Sequence, residues 1–426
     1  MKKVGVALLG LGTVGGGTYE ILTKNREYFR ETLGLDVEVK AVLEKNLDRA
    51  KQLGVDLKIV STDIADVVKN PDISIVAEFF GGIEPARTFL LEALKAGKSI
   101  VTANKELFSK HWYELEAAAK QTGAGLYFEA SCVGGVPIIR TIEEGMQSNK
   151  IEQIKGIING TTNYILTAMS DEGADYAAAL KRAQELGYAE FDPTADVEGF
   201  DATYKISILS TLAYHKRVPV EAVKREGISK VDAVDIQIGK ELGYTMKLLA
   251  LSKNVNGKIE ARVAPVFVPT SHPLASVKGS FNAVYLHGDS VDDIMLYGRG
   301  AGALPTGSAI VSDILFAAKQ SEAKRYPFAE KGKSDLKEFD TDFVSKYYIR
   351  LKAADEEGTL AKITHVLGKE NINIESVLQK KPISSDNAPI VFVTDKTAES
   401  NIKKAVDEIK NLGAVKEVDA LYRVEE

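Results

Sequence analysis

One cysteine, Cys132, stands in a chain of 426 residues, so no disulfide can form within it, which suits a reducing cytosol. The 5 histidines are scattered and no Cys-x-x-C pair occurs, so nothing has the spacing of a zinc site. No G-x-x-x-x-G-K-[ST] run is present, which excludes the phosphate loop of NTPases. No apolar run approaches the ~20 residues of a membrane span. Charge of one sign is lacking too: 54 Lys and Arg are mixed with 60 Asp and Glu, a net −6. That balance argues against nucleic acid or an anionic membrane as the main partner. The opening MKKVGVALLG has a basic head and an apolar run but no small-residue cleavage pattern, and it reads as a first strand.

What is present is a soluble composition, 45% hydrophobic and 27% charged, long enough for two or three domains. Residues 4–9 form an apolar strand, and Gly10, Gly12 and Gly15 follow as G-x-G-x-x-G before a helical pattern at Tyr19, Ile21 and Leu22. Strand, glycine loop and helix are the context the dinucleotide fingerprint requires: a tight turn at Gly10, close backbone approach at Gly12, and helix-on-strand packing at Gly15. The second strand, 37–43, ends at Glu44 and Lys45. An acidic residue there would bind the ribose of NAD and a basic one the 2′-phosphate of NADP; both are present, and both could equally be solvated loop charges.

Further strands are expected at 73–79, before Phe80-Gly81-Gly82, and at 99–101, before Thr102-Ala103-Asn104-Lys105. A lysine just past a parallel strand lies at the ligand crevice of such a sheet, although Lys105 alone could be a surface lysine at a helix start. The run from Glu129 to Pro137 reads as a glycine-rich turn, and Asn159-Gly160-Thr161 as a turn with a capping threonine. The stretch from Ala183 to Lys205, AQELGYAEFDPTADVEGFDATYK, gathers Glu190, Asp192, Asp196, Glu198 and Asp201 before Lys205. An apolar run at helical spacing follows, which puts Asp201 and Lys205 on one face of a first turn.

That stretch, together with the glycine loop and T-A-N-K, resembles homoserine dehydrogenases along essentially the whole chain. The resemblance implies NAD(P)-dependent interconversion of L-homoserine and L-aspartate 4-semialdehyde, in threonine and methionine biosynthesis. It implies Lys205 as general acid, with Lys105 between nicotinamide and substrate. Glu190, Asp201, Asp196, Gly160 and Thr161 would serve the substrate. Gly10, Gly12, Thr13, Val14, Gly15, Lys45, Thr102, Lys105, Gly187 and Gly302 would serve the cofactor. Relatives carry arginine where Lys45 falls, which tilts the expectation towards NADP over NAD. Relatives also hold a monovalent cation, expected here as sodium on Glu129 and the carbonyls of Cys132, Gly134 and Val136. Two other readings stay open: a dehydrogenase of another small amino-acid aldehyde, and an amino-acid-sensing regulator without turnover.

The implied fold is α/β, with a Rossmann-type nucleotide domain in 1–135 that regains about 300–320. An α+β substrate and dimerisation domain with a mixed sheet spans 136–299. Residues 322–345 are charged and poor in apolar side chains, and read as a linker. Residues 346–426 follow β-α-β-β-α-β order, which is ferredoxin-like and resembles an ACT domain. Such a module implies an amino-acid effector, with L-threonine the candidate near 355–360 and 371–374. Glu357 stands where the module usually has proline. A cytoplasmic homodimer or homotetramer is expected.

Overall fold

A computed structural model describes residues 1–329, 339, 342–380 and 388–426 of the chain. The first sheet holds β1 (Lys2–Leu9), β2 (Leu35–Leu43), β3 (Val60–Ser61), β4 (Ile75–Glu78), β5 (Ser99–Thr102) and β6 (Leu126–Tyr127). Its order is β3-β2-β1-β4-β5-β6 and every pairing is parallel. Parallel strands are covered on both faces, which is why β1 reads as an unbroken apolar run. Val6 and Leu8 enter one core with Ile310 and Ile314; Ala7 and Leu9 enter the other with Leu90 and Leu107. The order reverses between β1 and β4, so a crevice opens above their carboxyl ends.

The helix Ala303–Lys319 lies far along the chain yet packs on the helix Thr13–Lys24 of this sheet. Glycine permits that approach. A Cβ on Gly17 would sit 2.2 Å from the Ala303 carbonyl oxygen, and one on Gly307 2.9 Å from the Gly17 carbonyl carbon.

The second sheet holds β7 (Ile151–Ile157), β8 (Lys224–Arg225), β9 (Tyr244–Val255), β10 (Lys258–Pro269), β11 (Phe281–Gly288) and β12 (Asp292–Arg299). Strands β9 and β10 form a hairpin that turns at Asn256-Gly257. Both turn residues have positive φ, 53° and 83°, as a two-residue hairpin loop requires. The helix Phe200–Tyr214 packs across β9 and β10.

The C-terminal unit holds β13 (Val344–Ala353), β14 (Ile374–Gln379), β15 (Ala388–Thr394), β16 (Thr397–Ala398) and β17 (Val415–Val424), with helices Thr359–Lys369 and Glu399–Lys410. The expected β-α-β-β-α-β order is present, with sheet order β17-β13-β15-β14. Sequence reading did not foresee that β17 also pairs with β10, Val266 opposite Arg423 and Phe267 opposite Val424. The two sheets are therefore continuous. Buried charges cross the seam: Arg262 Nη2 lies 2.7 Å from Glu399, which also pairs with Arg423, and Arg350 meets Asp235 at 2.6 Å.

Part of the expected linker, 330–338 with 340 and 341, lies outside the described residues. Its described flanks are packed: Tyr326 sits against Trp112 and Phe128, and Phe339 and Phe343 are buried. Among the described residues no helix is long and apolar enough to cross a membrane.

Candidate active site

A cavity of about 430 Å³ opens above β4 and β5, lined in part by Gly82, Lys105, Glu190, Asp196, Asp201 and Tyr204. Three local structures build it. Asn104 caps the helix Lys105–Thr122 by accepting from the Leu107 N–H, and that places Lys105 on the first turn at the crevice. Asn159 caps the helix Gly160–Glu172 in the same way. The helix Phe200–Tyr214 carries Asp201 and Lys205 one turn apart.

Asp201 is the centre of the cluster. Its Oδ1 lies 3.0 Å from Lys105 Nζ and its Oδ2 2.7 Å from Lys205 Nζ. Asn159 Nδ2 donates to Asp201 Oδ2 at 2.9 Å and to Asp196 Oδ1 at 2.7 Å. Lys205 Nζ also donates to the Ile158 carbonyl at 2.8 Å, and the residue is 8% exposed. Burial alone would raise the Asp201 carboxyl, but the ammonium groups of Lys205 and Lys105 outweigh it and hold the acid below its usual range. The same carboxylate raises Lys105, against the opposing effect of burial. Asp196 is raised by burial and by the charge of Asp201.

The structure thus brings Lys105, Asp196, Asp201, Glu190 and Lys205 to one place. Glu190 is exposed on the cavity wall. Lys205 lies beneath Asp201 and is not part of the lining. Gly160 and Thr161 also stand outside the lining; the Thr161 hydroxyl is 2.6 Å from the Tyr188 carbonyl and 3.1 Å from Asp196 Oδ2.

On the cofactor side, Gly10 has φ 102°, and a Cβ on Gly15 would sit 2.2 Å from the Gly10 carbonyl oxygen. A Cβ on Gly12 would meet nothing within 4 Å, so space lies open where Thr13 and Val14 begin a helix. A helix N-terminus facing open space suits a pyrophosphate. Glu44 accepts from the Leu11 and Asn46 N–H groups, each at 2.8 Å, while Lys45 is exposed. Arg49, overlooked in the sequence, donates from Nε to the Leu11 carbonyl at 3.0 Å. Thr102 is fully buried and supports the crevice from below. Gly187 is exposed outside the cavity lining, and Gly302 caps the helix Ala303–Lys319.

The Glu129 carboxylate is held in place by the turn that follows it. Both oxygens accept backbone N–H groups, from Ile139 and Arg140, each at 2.8 Å. Burial pushes Glu129 up to about 7 and its neighbour Asp313 up to about 8. Among the described residues no backbone N–H donates to the carbonyls of Cys132 and Gly134, whereas that of Val136 accepts from Ile138 at 2.8 Å. Among the described residues no cluster of acidic, histidine or cysteine side chains is placed to hold a metal ion. The Cys132 thiol is buried and pushed up to about 12.

A parallel sheet in this strand order, with a glycine loop on one wall of its crevice and an ammonium–carboxylate cluster on the other, is the architecture of an NAD(P)-dependent oxidoreductase. Comparison with known proteins narrows it. Residues 10–129 match the NAD binding domain of homoserine dehydrogenase, 137–315 homoserine dehydrogenase itself, and 347–414 the ACT domain. The homoserine dehydrogenase of Bacillus subtilis is 40% identical over 435 residues, covering 100% of this chain and 99% of that protein. That of Neisseria gonorrhoeae is 41% identical over 433 residues, with the same coverage. The crystal structure of a homoserine dehydrogenase from Thiobacillus denitrificans superposes with a TM-score of 0.90 at 38% identity, covering 100% of this chain and 99% of that one. The chain belongs to the homoserine dehydrogenase family.

Proposed function

We propose that the chain interconverts L-aspartate 4-semialdehyde and L-homoserine with NAD(P), in the pathway to threonine and methionine. The observation that carries the reading is Asp201 bridging two ammonium groups at the crevice of a nucleotide-binding sheet. A bound nicotinamide supplies hydride to the aldehyde carbon. The chain supplies the proton at the carbonyl oxygen and the position of the substrate. Lys205 spends two of its three N–H bonds on Asp201 and Ile158, and the third serves as general acid. Glu190, exposed on the cavity wall, receives the substrate ammonium together with Asp196. One observation favours a second assignment: Lys105 lines the cavity and Lys205 does not, so Lys105 could hand over the proton while Lys205 holds Asp201. Single alanine variants separate the two.

NADP is the favoured cofactor, supported by Lys45 at the end of β2, by Arg49 at the glycine loop, and by a hyperthermophilic archaeal homoserine dehydrogenase solved with NADPH, 27% identical over 76% of this chain. Consumption of NADPH and NADH with L-aspartate 4-semialdehyde, against related aldehydes, tests substrate and cofactor together. Turnover confined to another aldehyde, or absent with every aldehyde, would overturn the assignment. Sodium would rest on Glu129 and the carbonyls of Cys132, Gly134 and Val136, since each Glu129 oxygen accepts a single N–H and keeps a lone pair. Activity unchanged when sodium is replaced by a bulky organic cation would remove it.

The C-terminal domain is proposed to bind L-threonine in a cavity of about 460 Å³ at Asp355–Ala361, where no described residue bonds the buried Thr359 hydroxyl. Residues 371–374 do not line it. Because β17 pairs with β10, deletion of the domain would strip the catalytic sheet. Thr359→Val in the full chain is the cleaner test: loss of threonine inhibition with unchanged turnover supports the site, and equal inhibition removes it. The domain division stated above, a homodimer or homotetramer, and a cytoplasmic location complete the proposal. The exposed Met295 and Tyr297 on edge strand β12 are consistent with assembly.

A further inference from the structure

We propose that Glu78 is a positioning residue for the reaction: it ties the two loops that wall the crevice into one unit and so fixes Lys105. The proposal rests on the reading that Lys105 stands at the reacting centre. Glu78 is the last residue of β4, in register with Leu9 of β1 and Thr102 of β5, directly under the point where strand order reverses. It is fully buried. One carboxyl oxygen accepts from the Phe80 N–H at 2.5 Å, and the other lies 2.5 Å from the Thr102 hydroxyl. Thr102 Oγ1 in turn accepts from the Asn104 N–H at 3.0 Å. Asn104 Nδ2 closes the circuit by donating to the carbonyls of Phe80 and Gly82, at 3.1 and 2.7 Å. The loops at 80–82 and 103–105 both line the cavity, and the next side chain after Asn104 is Lys105, held at 3.0 Å from Asp201.

A carboxyl is an expensive choice for such a place. Among the described residues Glu78 makes no ion pair, and burial pushes it up to about 7 despite its hydrogen bonds. An apolar side chain would fill the volume without that cost. What an apolar side chain lacks is the pair of acceptors that hold Phe80 and Thr102. Misplacing a reacting group by about 1 Å can cost about 10²-fold in rate.

The test is a double-mutant cycle of Glu78→Gln and Lys105→Ala, with Thr102→Val as an independent break in the same circuit. Glu78→Gln keeps an acceptor for Phe80 but turns an amide N–H₂ towards Thr102. In the wild-type background it should lower kcat at least 10-fold, with KM for the aldehyde and Kd for NADPH within about 3-fold, and Thr102→Val should lower kcat likewise. With Lys105→Ala already present, Glu78→Gln should cost less than about 2-fold, because residues acting through one another are not additive. Equal losses in both backgrounds, or a loss confined to KM or cofactor affinity, would overturn the proposal. So would unchanged kcat in both Glu78→Gln and Thr102→Val. Full activity in Lys105→Ala alone would instead remove the reading of Lys105 on which the proposal stands. Should Glu78→Gln not fold, the Thr102→Val arm of the cycle decides.

Discussion

Replacing Asp201 by Asn removes one charge and keeps the shape. The carboxylate now accepts from Lys105, Lys205 and Asn159 at 3.0, 2.7 and 2.9 Å. An amide offers one acceptor atom to three donors and turns its own N–H₂ towards the others. At 3.0 Å and an effective dielectric of about 20, the attraction to Lys105 is roughly 5–6 kcal/mol. The Lys105 side chain is 41% exposed, and solvent leaves exposed pairs with about 1 kcal/mol or less. An intermediate value of about 1–2 kcal/mol is roughly a factor of 10 in an equilibrium constant. Asp201 raises Lys105, so the substitution should lower it and increase its neutral fraction about 10-fold at a given mildly alkaline pH. Brief acylation followed by peptide mass spectrometry reads that fraction directly, because only the neutral amine reacts. The Asn variant should acylate Lys105 about 10-fold faster while surface lysines keep their rates. The buried partner Lys205 loses its counter-charge as well, so the denaturation midpoint should fall by an amount equivalent to about 3–5 kcal/mol. An unchanged Lys105 rate in a folded variant would refute the electrostatic account of the cluster.

Lys45→Ala should weaken NADPH more than NADH, since only NADPH carries the 2′-phosphate; equal losses by fluorescence titration would place Lys45 outside that site. Glu78 has a folded pKa of about 7 against an ordinary 4.5, so the folded state binds the extra proton between those values. Wild type should therefore lose stability relative to Glu78→Gln as pH rises from about 4.5 to 7, by at most about 3 kcal/mol, with no further change above. A flat difference in urea midpoints across that range would contradict the burial argument. Arg225 lies 3.5 Å over the Phe200 ring and donates to the Glu198 carbonyl at 2.5 Å, just before Asp201. Arg225→Ala should cost about 1–3 kcal/mol of stability and lower kcat several-fold, and Arg225→Lys should rescue little, because lysine cannot stack and donate together.

The parts of the site legible in the sequence are those with short-range periodicity. Asp201 and Lys205 stand four apart on one helix, the glycine loop sits between a strand and a helix, and Lys105 follows a strand end. Each is a local pattern with one geometric consequence. Asn159, which joins Asp196 and Asp201, lies 42 positions from the latter and was visible only as a turn residue. Glu78 reads as an ordinary strand end; its partner Thr102 is 24 positions away, and nothing local marks the pairing. Its one hint was a carboxylate closing an otherwise apolar parallel strand. The seam of β10 with β17 was hidden for the same reason: the strand pattern of each domain is complete without the other. The Asn256-Gly257 turn, by contrast, is a local hairpin signal that the sequence carries on its own.

The account depends most on the cluster being the place where hydride and proton meet the substrate. Its most direct test is the rate of NADPH-dependent reduction of L-aspartate 4-semialdehyde by wild type and Lys205→Ala, with NADPH affinity measured on both. Turnover by wild type and a loss of about 10²–10⁴-fold in the variant, at unchanged NADPH affinity, is the result expected of a positioned acid–base group. A variant that binds NADPH and turns over at close to the wild-type rate would contradict it.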